Sequence, residues 1–300
     1  MRTASASARG SYHIAPGDRP SMRACRGWGL RSSARAFFMA MIRTLGFTLL
    51  SGALLAGGAG APSGGAAGSR DVVLWAWERP EDLRFLGGRR DVGVAFLSET
   101  LTLDGPEIHA SPRRQSLRVA DTTPLEAVIR IEWVRGRPFV NTPGLRADIV
   151  RHFVAAAALP RVQGVQVDFD VPVSARPLYR ETLQEIRAAL PLTTRFSMTA
   201  LASWCTTGTD WLDTLAPFVD EVVPMVFSMG PDAQQVWGAL DLLGGFASPV
   251  CSQSIGVAVG ERAPRTVPAR KVYVFDKHPW TRADFEASML RLAGPGGRGE

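Results

Sequence analysis

Asp168 and Asp170 are two carboxylates separated by one residue at the end of the apolar segment Val165–Phe169. If that segment is a β-strand, the alternation of side chains along it places both carboxylates on one face. Neighbouring carboxylates at the end of an apolar strand disfavour each other's charged form, and such pairs serve general acid–base chemistry. The spacing therefore predicts a catalytic pair suited to carbohydrate chemistry, or a structural remnant of one.

Eight short apolar segments rich in β-branched and aromatic residues are typical of strands buried on both faces. They are Val72–Trp77, Val92–Leu97, Ala127–Trp133, Val165–Phe169, Arg195–Ala202, Glu221–Phe227, Ser254–Val259 and Lys271–Phe275. Most are separated by helical patterns, which we expect over 144–158, 176–190, 210–218, 232–243 and 282–292. A short helix is also predicted to begin at Pro80–Leu83, and residues 104–118 are predicted to form a hairpin or a long loop.

This order of elements predicts an α/β fold of the (β/α)8 TIM-barrel type. Eight strands alternating with helices over about 230 residues match the usual size of that barrel. A doubly wound open sheet is the alternative, but Glu78-Arg79-Pro80 follows the first strand in place of a glycine-rich phosphate loop.

In a barrel, reactive side chains lie at the carboxyl ends of the strands. We therefore predict a catalytic set in which Glu78 and Glu132 join Asp168 and Asp170. Other residues that follow the strands are predicted to bind substrate: Trp77, Trp204, Phe227, Asp276 and Trp280. Acids that act on a glycosidic bond, beside flat rings that stack on pyranose faces, indicate a sugar ligand.

Each of these residues also has a structural interpretation. A carboxylate at a strand end can pair with an arginine, and Arg79 and Arg130 are available for this role. Tryptophans near a barrel mouth can simply pack in the core. Ser203 has no histidine placed to activate it as a nucleophile, so a catalytic triad is not expected.

No cofactor or metal is predicted from the sequence. Outside the N-terminal extension the histidines are His109, His152 and His278, too few for a barrel hydrolase that uses several histidine ligands. The chain contains no P-loop, no His-Glu-x-x-His motif and no Gly-x-Ser-x-Gly motif.

The charge distribution argues against nucleic acid as a partner. The formal net charge is +6, but residues 1–61 hold 8 of the 34 Lys and Arg residues and 1 of the 28 acidic residues. The remaining chain has a net charge of −1, which gives no electrostatic basis for binding nucleic acid. We expect a polysaccharide or other glycan as the ligand, and the sequence specifies no oligomeric state.

A targeting segment is expected near the N-terminus. Met41–Arg43 is a short positive start, Leu45–Leu55 is an apolar run, and Ala59–Ala61 fits a small-x-small cleavage site. The apolar run is short for a membrane span, so we predict no stable span after cleavage and a periplasmic or secreted protein; the alternative is an uncleaved N-terminal anchor. The predicted organisation is an extension with signal peptide (1–61), a linker (62–70), a barrel domain (71–292) and a disordered tail (293–300).

Cys205 and Cys251 are the two cysteines beyond the N-terminal extension. An even pair in an exported chain is compatible with a disulfide, which we state as a hypothesis, the alternative being two buried thiols.

Two motifs carry a resemblance to known families. The segment 163–172, Gln-Gly-Val-Gln-Val-Asp-Phe-Asp-Val-Pro, resembles the Asp-Gly-x-Asp-x-Asp-x-Glu signature of chitinase-like family 18 glycoside hydrolases. Asp170 stands where that signature has its catalytic Glu. Phe227 and Ser228 stand where the sixth strand of those enzymes has a Tyr-Asp pair.

The chain from about 71 to 292 more closely resembles the bacterial family of unknown function 3142 (DUF3142). Three segments carry this resemblance: Trp75–Leu83, Val165–Asp170 and Ser197–Cys205. The ending from Val272 to Thr281 agrees with it. The resemblance implies an exported barrel of the glycoside-hydrolase type.

The departures from the chitinase motif leave three interpretations open. An Asp is one methylene shorter than a Glu, which retracts the acid by roughly 1.5 Å, and a displacement of that size can cost about 100-fold in rate. The first hypothesis is a glycoside-hydrolase-like enzyme with Asp170 as general acid. The second is a non-catalytic carbohydrate-binding pseudo-enzyme of the cell envelope, and a structural envelope protein without a small-molecule site is a third.

Overall fold

The computed structural model describes residues 71–206, 209–263 and 269–293. The predicted signal peptide, the linker and residues 294–300 of the predicted tail lie outside this part of the chain. Within it the strands are Asp71–Ala76 (β1), Glu81–Leu83 (β2), Val92–Asp104 (β3), Glu107–Pro112 (β4), Leu117–Val119 (β5), Leu125–Trp133 (β6), Val162–Asp168 (β7), Arg195–Leu201 (β8), Glu221–Met225 (β9), Ser254–Ala258 (β10) and Lys271–Phe275 (β11). The α-helices are Pro143–Ala157 (α1), Arg176–Ala189 (α2), Ala202–Thr206 (α3), Asp210–Asp213 (α4), Ala233–Leu243 (α5) and Arg282–Ala293 (α6).

Eight parallel strands close into a barrel, as the sequence predicts. The hydrogen-bonded order is β1-β11-β10-β9-β8-β7-β6-β3, and pairing of β1 with β3 completes the circle. The strands are apolar because one face packs on the outer helices and the other on the barrel interior. The fold is thus a TIM-type barrel, whose carboxyl strand ends form one common face.

Helices follow most of the barrel strands, and other structures follow the first two. The pair β2–β5, joined in parallel, and the antiparallel hairpin β3–β4 occupy the connections after β1 and β3. The hairpin confirms one of the two alternatives for residues 104–118. It lengthens β3 beyond the barrel, so that β3 and β6 stay paired as far as Leu103 and Trp133.

Two local predictions need correction. Residues 81–83 form strand β2 where a helix start is expected, and only a single 3₁₀ turn follows at Arg84–Leu86. The strand forms because the Glu81 side chain is buried. Its carboxylate accepts hydrogen bonds from Arg79 (2.6 Å) and from the backbone of Trp280 (2.8 Å). The helix expected over 210–218 ends at Asp213, and residues 216–218, which include Pro217, form a 3₁₀ turn.

Two helices have residues at their ends that commonly cap helices. Thr142 precedes α1 and its Oγ1 accepts a hydrogen bond from the Leu145 N–H at 3.3 Å, with Pro143 at the first helical position. Helix α5 ends at Gly244, which adopts a left-handed conformation with φ of 66°. These caps fix where the connections to the neighbouring strands begin.

Cys205 of α3 and Cys251, which precedes β10, form a disulfide in this structure, with Cα atoms 6.0 Å apart. It links two strand connections that are 46 residues apart in sequence. Both cysteines are fully buried in the core outside the barrel. The bond therefore ties the α3 segment, part of which borders the carboxyl-end face, to the body of the fold.

Removing this disulfide is expected to lower the free energy of unfolding by about 2–4 kcal/mol, because the unfolded chain loses a cross-link. The measurement is chemical denaturation of the Cys205→Ser/Cys251→Ser double variant beside oxidised wild type. Wild type treated with reductant is the control and should behave like the double variant. Identical stability of all three would show that the cross-link does not constrain the unfolded chain.

Candidate functional site

A cavity of about 350 Å³ opens at the carboxyl ends of the barrel strands. Four aromatic residues line it, Trp75, Trp77, Phe227 and Phe275. The charged side chains in its wall are Asp168, Asp170, Asp232 and Arg130. The remaining lining residues are small, polar or apolar: Val128, Gln166, Thr199, Leu201, Ala202, Ser203, Met225, Ser228, Met229 and Val236. The cavity thus combines flat apolar surfaces with carboxylates.

Asp168, the last residue of β7, and Asp170, two residues later, both line the cavity, as the sequence predicts from side-chain alternation. In-register pairing places Arg130 of β6 beside Asp168. On the other side, Thr199 of β8 donates a hydrogen bond from Oγ1 to Asp168 Oδ1 at 2.8 Å. Asp168 is therefore held between two neighbouring strands, whereas no residue in the described part of the chain donates a hydrogen bond to the Asp170 carboxyl.

Both carboxyls are easier to protonate than an ordinary aspartate. Loss of hydration raises the pKa of Asp170 to about 6, and the negative charge of Asp168 adds to that rise while Arg130 opposes it. Loss of hydration also raises the pKa of Asp168, against the favourable charge of Arg130 and the hydrogen bond from Thr199. Asp170 remains accessible at the mouth. It therefore holds a proton near pH 6 at a place that a ligand can reach.

The floor of the cavity is Trp75, which sequence reasoning did not select. Its ring lies beside Tyr273 (centroids 5.2 Å apart) and edge-on to Phe227 (5.9 Å). Gly256 makes room for it, because a Cβ at that position would lie 2.9 Å from the Trp75 ring. Trp75 lies on β1 and Trp77 directly follows that strand, two residues later, so the period of two that linked Asp168 to Asp170 could have identified the pair.

A chain of hydrogen bonds runs from Trp75 through the barrel interior. Trp75 Nε1 donates to Gln166 Oε1 (2.9 Å), and Gln166 Nε2 donates to Ser197 Oγ (3.1 Å). Ser197 in turn donates a short hydrogen bond to Glu126. The Tyr273 hydroxyl donates to the same carboxylate at 2.9 Å. The orientation of the Trp75 indole is thus fixed by polar groups below the cavity.

Glu126 belongs to a charged cluster at the opposite end of the barrel. Glu221 is its centre and accepts from Arg195 and Lys271, each at 2.9 Å, and from Ser254. Burial and the charges of the two glutamates raise the pKa of the Tyr273 phenol well above its ordinary value, so the phenol stays neutral. This cluster supports the barrel core rather than the cavity chemistry directly.

Trp77 and Phe227 lie where the sequence predicts them, in the cavity wall. Trp77 lies beneath the Arg130 guanidinium (5.5 Å to the ring centroid), and Phe227 stacks on Phe275 with centroids 5.4 Å apart. Buried Arg113 holds the backbone of the loop that carries Trp77, donating to the carbonyls of residues 76, 77 and 79. Sequence reasoning did not identify this arginine, which acts from a separate segment.

The rings of Trp204 and Trp280, predicted to bind the sugar, are buried and do not line the cavity. Trp204 packs edge-on to Trp211 at 5.0 Å; helix α3 begins at Ala202, so Ala202 and Ser203 face the cavity and residue 204 turns away. Trp280 donates from Nε1 to the Trp75 carbonyl (3.0 Å) and packs with the core that contains Phe285. Each tryptophan has the structural role given above as the alternative.

Three of the predicted carboxylates also do not line the cavity. Glu78 is exposed and accepts hydrogen bonds from the backbone of Arg114 (3.0 Å) and Gln115 (3.3 Å), tying two loops together. Asp276 is buried and accepts from the His278 N–H at 2.8 Å. Glu132 lies at the edge of the site, paired with Arg130 at 2.7 Å. The catalytic roles predicted for Glu78 and Glu132 and the binding role predicted for Asp276 are therefore not supported by their positions.

Asp232 was not considered a site residue from the sequence, whereas Ser228 was noted where the chitinase-like motif has its Tyr-Asp pair. Asp232 precedes α5 and lines the cavity, although the sequence predicts only that a helix begins there. Ser228 follows β9 with φ of 50°, a left-handed backbone that is uncommon outside glycine. The Glu261 carboxylate holds it there by accepting from the Ser228 N–H at 2.9 Å. Strained backbone of this kind is common beside ligand sites.

Among the described residues, no group of three or more His, Cys, Asp or Glu side chains is arranged to hold a metal ion. In the same part of the chain, none of the helices combines the length and apolar character that crossing a bilayer requires.

Comparison with solved structures finds proteins of low sequence identity to this chain. A protein assigned as chitinase A from Streptomyces coelicolor is 10% identical over 75% of this chain and 96% of its own, with a TM-score of 0.48. The spore cortex-lytic enzyme SleL of Bacillus cereus is 14% identical over 64% of this chain, with a TM-score of 0.41. This chain spans about half (52%) of SleL. At these values neither similarity bears on the chemistry of the cavity.

No family model matches the chain, and no curated protein matches it. The resemblance to family 3142 therefore stays a prediction. The fold rests on the closed strand order, and the site rests on its own geometry.

Proposed function

We propose that this barrel binds a glycan in the cavity at its carboxyl strand ends and hydrolyses it, with Asp170 as general acid. The observation that carries the proposal is the Asp168–Asp170 pair in an aromatic cavity of about 350 Å³. The aromatic surfaces match the apolar faces of pyranose rings, and the cavity is of the size that holds a small ligand.

The acid step follows from the environment of Asp170. Its raised pKa of about 6 keeps a proton available in mildly acidic solution. Asp170 donates that proton to the glycosidic oxygen as the bond from the anomeric carbon to that oxygen breaks. Water then adds to the anomeric carbon, and the proton that it releases restores Asp170.

Asp168 assists this step through its charge. The transition state of glycoside hydrolysis resembles an oxocarbenium ion, which a nearby carboxylate stabilises. Loss of hydration raises the pKa of Asp168, while the adjacent Arg130 and the hydrogen bond from Thr199 oppose that rise and so favour its charged form. The same charge raises the pKa of Asp170, so one residue both supports the acid and stabilises the developing positive charge.

A non-catalytic glycan-binding protein is the second candidate, and particular observations favour it. The shorter Asp170 replaces the Glu of the chitinase-like motif, and Phe227 lacks the hydroxyl of the Tyr in that motif. Glu78 and Glu132, the other carboxylates considered for catalysis, are engaged outside the cavity. This candidate predicts binding of glycan without cleavage.

The pH dependence of hydrolysis tests the catalytic proposal. For whichever labelled oligosaccharide is cleaved, kcat/KM should fall about tenfold per pH unit above roughly pH 6, because Asp170 must be protonated to act. Replacing Asp168 by Asn removes a neighbouring negative charge and lowers the pKa of Asp170. The decline of kcat/KM with rising pH should then begin at lower pH in Asp168→Asn, even though this variant hydrolyses the substrate more slowly than wild type.

Separate measurements of cleavage and of binding distinguish the hydrolase from the non-catalytic glycan-binding protein. Cleavage is followed by mass spectrometry of a panel of neutral, N-acetylated, amino and acidic oligosaccharides between about pH 4 and 8. Binding is followed by quenching of tryptophan fluorescence on the same panel, since Trp75 and Trp77 line the cavity. Binding without cleavage supports the pseudo-enzyme, and absence of both rejects the glycan proposal.

Export to the periplasm or the medium belongs to the same proposal. The Cys205–Cys251 disulfide supports it, because disulfides persist in oxidising compartments. Membership of the family of unknown function 3142, predicted from motifs, would agree with such a location. Fractionation of the producing cell, with detection of the mature chain, tests this part.

A further inference from the structure

The aromatic wall of the cavity favours positive charge as well as sugar faces. Phe227 and Phe275 are stacked almost in parallel, with 6° between their planes. Trp75 meets Phe227 edge-on, and Trp77 meets Phe275 edge-on at 6.3 Å. The faces of such rings carry partial negative charge and attract cations. The wall can therefore hold a ligand that has both apolar faces and a positive group.

Negatively charged side chains outnumber positively charged ones in the same wall. Three carboxylates line the cavity, those of Asp168, Asp170 and Asp232, against the single lining guanidinium of Arg130. Arg130 is already paired with Glu132 at 2.7 Å. Asp232 is exposed, and within the described residues its carboxylate receives neither a hydrogen bond nor an ion pair. Negative charge in this cavity thus exceeds what the neighbouring protein compensates.

The charged residues beside the cavity do not neutralise its excess negative charge. Glu261 lies beside the cavity, where its carboxylate accepts from the backbone of cavity-lining Ser228. The next residue, Arg262, is directed elsewhere: it pairs with Asp241 at 3.1 Å and lies over the Trp237 ring at 4.3 Å. A positively charged ligand would meet a complementary surface, whereas an anionic ligand would meet like charges.

We infer that the cavity selects glycans that carry free, protonated amino groups, that is, oligomers of 2-amino sugars without N-acetyl groups, over neutral and acidic sugars. This inference rests on the proposed glycan function and specifies its substrate class. The pyranose faces contact the aromatic wall and the ammonium group contacts the carboxylates, with Asp232 as the one not engaged in the acid chemistry. Uronic acid oligomers are excluded by repulsion.

Calorimetric titration with three tetrasaccharides of equal length tests this selectivity. Their units are glucosamine, N-acetylglucosamine and galacturonic acid. The glucosamine oligomer should bind about tenfold more tightly than the acetylated one, a difference of ~1.4 kcal/mol, and the acidic oligomer should bind least. Raising the salt from about 50 mM to about 500 mM should reduce the preference for the amine, because screening weakens charge attraction.

Two matched variants locate the source of the preference. Asp232→Asn should lower the ratio of glucosamine to N-acetylglucosamine affinity towards one. Asp148→Asn removes a carboxylate that pairs with Arg151 on the outer helix α1, outside the cavity, and should leave that ratio as in wild type. Thermal melting of both variants checks that each is folded.

The outcomes distinguish this inference from the proposal beneath it. Equal or tighter binding of the N-acetylated or acidic oligomer overturns the amine selectivity and leaves glycan binding intact. An unchanged ratio in Asp232→Asn overturns the role of that carboxylate. Failure of all three oligomers to bind, when no other sugar of the panel binds either, overturns both the inference and the proposed function.

Discussion

Asp170→Asn is expected to lower kcat/KM for glycan hydrolysis by about 10²- to 10⁴-fold, the range typical for loss of a general acid. Asparagine has nearly the shape of aspartic acid but cannot transfer a proton to the leaving oxygen. The Asp170 carboxyl receives no hydrogen bond from the described residues, so the substitution should leave the cavity wall in place. Dissociation constants for the same oligosaccharide should therefore change much less than the rate.

The control for this variant is Asp148→Asn. Asp148 lies on the outer helix α1, paired with Arg151, and does not line the cavity. Its replacement should leave both rate and affinity as in wild type. If Asp170→Asn retained the wild-type rate within about twofold, another group would have to be the acid.

Stability gives a second readout for Asp170→Asn. The folded-state pKa of Asp170, about 6, lies above the ordinary aspartate value of 3.8, so the folded protein binds this proton more tightly than the unfolded chain does. The contribution of Asp170 to stability is therefore lost as pH rises from about 4 to about 6. The neutral Asn avoids this loss. Its melting temperature should exceed that of wild type above pH 6, and the difference should shrink at lower pH.

The barrel and its acid pair were predictable because both depend on local pattern. A strand buried on both faces is mostly apolar, and the eight segments show this pattern. Side-chain alternation that continues past the end of β7 then places Asp168 and Asp170 together. The same rule places Trp77 in the cavity, and it extends to Trp75, two residues earlier.

The side chains beyond the strand ends were harder to assign, because contacts distant in sequence decide where they point. The Glu78 carboxylate accepts hydrogen bonds from backbone N–H groups that are more than 30 residues away in sequence. Trp280 is held by the carbonyl of Trp75 from the far end of the barrel domain. Trp204 turns away since a helix starts immediately after β8. None of these partners is specified by the sequence around the residue itself.

The charged cluster at the end of the barrel opposite the cavity also depends on contacts that the local sequence does not specify. Glu221, Lys271 and Arg195 stand at the starts of three strands, where the sequence suggests only a polar strand boundary. Closure of the barrel brings Lys271 and Arg195 within hydrogen-bonding distance of Glu221. A buried ion cluster, connected to the cavity floor through Glu126 and Gln166, is thus a product of topology rather than of any motif.

Glu221→Ala is expected to lower the free energy of unfolding by about 3–5 kcal/mol, the range for breaking a buried ion pair from one side. The Glu221 side chain is only 5% exposed and contacts Arg195, Lys271, Tyr273 and Ser254. Its loss leaves Lys271, itself 14% exposed, with Glu126 at 3.8 Å as the remaining carboxylate partner. Urea denaturation near neutral pH measures the effect.

Glu286→Ala is the matched control, because Glu286 forms an exposed ion pair with Arg282 on the outer helix α6. Pairs of this kind contribute about 0–1 kcal/mol, so the control should remain close to wild type. A loss below about 1 kcal/mol in Glu221→Ala would mean that water reaches Lys271 once the carboxylate is gone. A loss in the expected range would show that the cluster closes the barrel at the end opposite the cavity.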